Sequence, residues 1–166
     1  MRLRHITAAA FLPIPMLFPG SVQAAALPLH IVTVKGRLQV IDGGGVFTSA
    51  TVVNLDFNQR VVLRLLGTST RTLTFSKCAG GETRGVLTVP LRLTRYQYVT
   101  VSPKLQMFEG SSCSSNDLDG EATPIQSGVT PNSSKTWSMK TPFNSEIGSF
   151  DIVLANLTVS HTVRWR

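Results

Sequence analysis

From His30 to Asp42 the chain alternates: Val32, Val34, Leu38 and Val40 fall on one side of an extended backbone, and Thr33, Lys35, Arg37 and Gln39 on the other. Successive strand residues point to opposite faces, so a period of two with one apolar side describes a strand buried on one face and wetted on the other. The same rhythm returns in Arg71 to Lys77, where Leu73 and Phe75 oppose Thr72, Thr74 and Ser76, and in Leu157, Val159, His161, Val163 and Trp165 near the end. Runs of this kind, separated by clusters of Gly, Asn and Ser, predict an all-β chain.

The turn clusters set the expected layout. Gly43-Gly44-Gly45 predicts a reversal into Val46 to Phe57, Asn58-Gln59 a short hairpin into Arg60 to Leu66, and Gly67 to Ser69 and Ala79 to Glu82 two further turns. Val86 to Leu93 and Tyr96 to Val101 read as one long bent strand or two, with Pro90 predicting an edge position or a bend, because proline donates no ladder hydrogen bond. Lys104 to Phe108 is a further strand. Ser111 to Ser145 reads as polar loop, broken by short strands at Ile125 to Val129 and Thr136 to Met139. In the final stretch the apolar phase passes from Phe150, Ile152 and Leu154 to Leu157 and Val159, which predicts a bulge near Asn156.

About eight strands with short connections predict an antiparallel two-sheet sandwich, with a small closed β-barrel as the alternative. A barrel in an outer membrane would carry aromatic girdles, and this chain has 2 Trp and 2 Tyr.

The N-terminus has the order of a secretory signal: Arg2 and Arg4, an apolar stretch from Ile6 to Phe18, then small residues leading to Ala24. Pro13, Pro15 and Pro19 interrupt that stretch, which is shorter than the roughly 20 apolar residues of a spanning helix. The expectation is therefore a signal peptide over residues 1–24, one β-sandwich domain over 25–166, no membrane span, and a secreted or periplasmic destination. Removing 24 of 166 residues leaves 142, enough for a hydrophobic core, and takes Lys+Arg from 16 to 14 against 9 acidic residues, so the net charge falls from +7 to +5. The remaining cations stand singly rather than in a run, which fits a basic surface and gives no nucleic-acid footprint. Cys78 and Cys113, the only cysteines, predict a disulfide in an oxidising compartment.

Three sets of residues invite chemistry. Tyr96 and Tyr98, two apart, predict two rings on one strand face with Arg92 along the same face, either ordinary cross-strand packing of aromatic side chains or a strip suited to stacking on sugars or gripping a partner. Trp137, in a polar stretch, is a second candidate contact as an exposed indole, or else caps one end of the core. Asp117, Asp119 and Glu121 surround Gly120 and offer the oxygens that calcium prefers, although the spacing is not that of an EF-hand; without a metal they form a polar turn. His161, in phase with Leu157 and Val159, reads as a packed or strand-edge histidine, and His30 as an exposed residue at a strand start. No nucleophile elbow occurs, and no catalytic set stands out. The sequence reading is thus a non-enzymatic exported binding module for an extracellular glycan or protein. The alternatives are a secreted hydrolase using the acidic residues, and a structural subunit assembling through its regular terminal strand.

Overall fold

The computed structural model describes residues 27–44, 49–67, 69–142 and 150–165. The expected signal peptide, its cleavage point and part of the Gly43–Gly45 reversal lie outside them. Among the described residues the chain is all-β, with 0% helix and 69% strand, arranged as two antiparallel sheets of which one curls into a half-barrel. No helix of the described residues is long and apolar enough to cross a membrane.

The first sheet holds β1 (Leu29–Asp42), β2 (Thr51–Leu63), β9 (Ser133–Lys140) and β10 (Ile152–Arg164) in the order β2-β1-β10-β9. The second holds β3 (Thr70–Ala79), β4 (Thr83–Leu93), β5 (Val99–Val101), β6 (Lys104–Glu109), β7 (Asp117–Ala122) and β8 (Ser127–Val129). One flank of β4 is taken by β3. The other is shared by β6, opposite 84–88, and β5, opposite 91–93, while β7 and β8 continue outward from β6 and β5. The described strands therefore fill eight lanes, four in each sheet, as the sandwich reading requires.

Alternation decides what each strand buries. Val32, Val34, Leu38 and Val40 of β1 are fully buried, as are Leu87 and Val89 of β4, Leu105 and Met107 of β6, and Leu157 and Val159 of β10. Each such aliphatic side chain is worth about 1.5–3 kcal/mol when withdrawn from water, which is why these phases win over any register that would expose them. At the seam between the sheets Phe57 of β2 stacks on Phe75 of β3, with ring centres 4.0 Å apart and planes 17° from parallel. Gly36, opposite Phe57 on β1, makes room for that ring: a Cβ there would stand 2.9 Å from Phe57 Cζ.

Several expectations are corrected. Asn58-Gln59 is not a turn; β2 runs through it in unbroken register, with Lys35 opposite Asn58 and Val34 opposite Gln59. The long β1 supplies a continuous ladder, and satisfied backbone pairs outweigh the turn preference of two polar residues. β10 has no bulge at Asn156, because Val153 and Ala155 keep the buried phase of Leu157 while Ile152 and Leu154 face the other side. Pro90 is on a central strand rather than an edge. It lies where β4 changes partner from β6 to β5, so its missing N–H falls at a gap in the ladder, and its carbonyl accepts from Ser102 N at 3.4 Å. The polar segment after Ser111 contains β7 as well as β8 and β9.

Cys78 of β3 is bonded to Cys113 in the β6–β7 connection, with Cα atoms 5.8 Å apart. Arg84, opposite Cys78 on β4, reinforces the same corner by donating to Ser115 O at 2.6 Å and Asn116 Oδ1 at 3.2 Å while lying over the Phe108 ring.

Candidate functional site

The outer face of the second sheet carries a groove of about 770 Å3. Its floor follows from register. Leu91, Leu93, Val99 and Val101 turn into the core, so their neighbours Pro90, Arg92, Thr100 and Ser102 turn outward. Across the strands Arg92 stands opposite Thr70 on β3 and Thr100 on β5, and Thr100 stands opposite Gly128 on β8. The resulting row crosses four lanes.

One end of the groove is built by the turn between β4 and β5. Thr94 N donates to Tyr98 O at 2.9 Å and Gln97 N to Thr94 O at 3.0 Å, so Arg95, Tyr96 and Gln97 form a three-residue hairpin loop, with Gln97 in the left-handed region at φ 63°. The strand expected from Tyr96 therefore starts only at Val99, yet the turn sets the two tyrosines side by side. Their ring centres are 6.4 Å apart and their planes differ by 3°. Tyr98 lies partly over β8, where Gly128 leaves it space; a Cβ at 128 would stand 3.1 Å from Tyr98 Cδ2. Tyr96 is 66% exposed, with the Arg95 guanidinium 4.7 Å from its ring centre and bonded to its hydroxyl at 2.6 Å.

Arg92 and Arg95 line this groove, together with Tyr96, Tyr98 and Gln126, and no described lining residue is acidic; Arg71, opposite the inward Leu91, reaches it only from the edge of β3. The sequence strip of Arg92, Tyr96 and Tyr98 is thus gathered in one place. Arg95 and Gln126 carry no local signal in the sequence, because only strand pairing and the hairpin bring them to it.

Trp137 does not belong to the groove. It sits on β9 opposite Leu157 and is 7% exposed, within the hydrophobic core, so the expectation of an exposed indole is corrected. Its neighbours in sequence are polar because they face outward or reach the open end of the sandwich, as Lys135 does in bonding Ser127 Oγ at 2.7 Å.

Asp117, Asp119 and Glu121 lie along β7 rather than in a turn. Leu118 opposes Phe108 and Gly120 opposes Met107, which leaves Asp119 as the extra residue of a bulge. Glu121 is engaged by Lys104 Nζ and Gln106 Nε2, each at 3.0 Å, and by Thr123 Oγ1 at 3.2 Å; the bond from Lys104 is the largest influence holding its carboxyl below the usual range. Among the described residues no three His, Cys, Asp or Glu side chains converge as a metal would require.

The two histidines form a buried pair. His30 is not exposed: it shares the inner phase of Val32, and its Nδ1 lies 2.9 Å from His161 Nε2, while His161 Nδ1 lies 3.2 Å from Val129 O on the facing sheet. A carbonyl only accepts, so the neutral pair has one consistent arrangement: His161 Nδ1–H donates to Val129, and His30 Nδ1–H donates to His161 Nε2. Burial lowers both pKa values, and for His30 the neighbouring His161 lowers it further. β10, for its part, is interior to the first sheet, paired with β1 along its length and with β9 from Leu154 to His161.

Compared with protein families, with curated proteins and with solved structures, the chain shows no match.

Proposed function

We propose that this protein is an exported, non-enzymatic binding module that holds an extracellular glycan in the groove on its second sheet. One observation carries the reading: the parallel pair Tyr96 and Tyr98 stands at the end of an open groove floored by Thr70, Arg92 and Thr100. Aromatic faces pack against the C–H faces of sugar rings, and hydroxyl and guanidinium groups bond the sugar oxygens around them. The disulfide is compatible with export to an oxidising compartment, secreted or periplasmic.

A glycan array tests this directly. The wild-type protein should retain a defined subset of saccharides, and Tyr96→Ala should lose at least tenfold in affinity for them with a melting temperature within about 2 °C of wild type, since a ring this exposed contributes little to folding. Undiminished binding by that variant would remove the tyrosine pair from the site.

A further inference from the structure

We infer that the groove selects an acidic polysaccharide, a linear chain bearing carboxylate or sulfate groups, over a neutral one. This rests on the glycan-binding reading and adds the charge of the ligand. Arg92 and Arg95 line one groove in which no described lining residue is acidic, and Arg71, opposite the inward Leu91 on the edge strand β3, borders it from the side. Among the described residues neither Arg71 nor Arg92 enters an ion pair, whereas Arg37 on the first sheet is held by Asp56, and Lys104, which does not line the groove, by Glu121. A guanidinium presents its donors as a planar fork that matches the two oxygens of a carboxylate or sulfate, which a neutral sugar lacks. Arg92 is placed for such a grip, projecting outward with Thr70 and Thr100 on the adjoining strands. Arg95 is preorganised at the groove end by its contact with Tyr96, so one cation and one aromatic surface are offered together. An acidic sugar chain fits this better than a free anion does, because ion pairing at Arg92 and stacking at the tyrosine pair engage different parts of one ligand.

The distribution of charge elsewhere supplies the control. Arg60 on β2 is exposed on the other sheet, so removing it changes the net charge as much as removing Arg92 does without touching the groove. Binding of the purified protein to polygalacturonate, dextran sulfate and unmodified dextran is measured by titration calorimetry at low and at physiological salt. Both acidic polymers, or the one whose acid group the forks prefer, should bind at least tenfold more tightly than dextran. Arg92→Ala and Arg95→Ala should each weaken that binding five- to tenfold, Arg92→Lys should restore part of it, and Arg60→Ala should leave it within twofold. Equal weakening by Arg60→Ala would show diffuse attraction to a basic surface and overturn the inference. So would equal or tighter binding of duplex DNA or of vesicles containing anionic lipid. Selective retention of neutral saccharides on the array, sensitive to Tyr96→Ala but not to Arg92→Ala, would overturn the acidic ligand while leaving the glycan-binding reading intact. Retention of no saccharide, acidic or neutral, would overturn both.

Discussion

His30 and His161 show how single residues set the conditions under which the fold holds. Both are buried, and a proton added to the pair would place two N–H donors face to face, or a charge at His30 Nε2, which is buried without a hydrogen-bond partner among the described residues. Their folded pKa values lie below the ordinary 6.5, so below that pH the unfolded chain binds more protons than the folded one. Stability should therefore be level above about pH 7 and fall as the pH drops from there toward 5.5, by up to about 1.4 kcal/mol per pH unit for each histidine. Urea unfolding across this range checks it. The double variant His30→Gln/His161→Gln should be less stable at pH 7.5 but lose the slope; an unchanged slope would assign the effect to other groups. Position in the alternating pattern already put His161 on the buried face. It did the same for His30, but a histidine at a strand start reads as exposed until its partner 131 positions away is known.

At the scale of the elements, the disulfide and Arg84 fasten the β6–β7 connection to the β3–β4 hairpin. The bridge spans 35 positions, and a loop of that size is worth about 3–4 kcal/mol in the chain-entropy description. Replacing both Cys78 and Cys113 with Ser should lower the unfolding free energy by roughly that amount while leaving the far-ultraviolet β signature unchanged. A loss under about 1 kcal/mol would mean that the bridge constrains the unfolded chain little. Strands buried by strict alternation, such as β1, β3 and β6, were legible in the sequence because burial of one face repeats at every second residue. β7 and β9 were harder, since outward Ser, Thr and Lys residues on these outlying lanes resemble loop composition. Asn58-Gln59 misled for the opposite reason: a dipeptide with turn chemistry was overridden by a partner strand long enough to run past it.

For the whole molecule, the site depends on relations that no local pattern carries. Tyr96, Tyr98 and Arg92 were legible as neighbours in sequence, but the row from Thr70 through Arg92 and Thr100 to Gly128 exists only once four strands take their registers. The hairpin that aligns the rings turns on a left-handed Gln97, which composition does not announce. Trp137 takes the core place of the two its sequence allowed, because its environment is decided by the packing of the two sheets, not by its polar neighbours in the chain. The central claim is that this outer face, and not the opposite one, receives a glycan. Amide chemical-shift mapping with the saccharide best retained on the array tests it most directly. The account predicts concentration-dependent shifts confined to Thr70–Thr72, Arg92–Ser102 and Gln126–Gly128, with β1, β2 and β10 unmoved; shifts centred on the outer face of the first sheet, or spread evenly over the molecule, would contradict it.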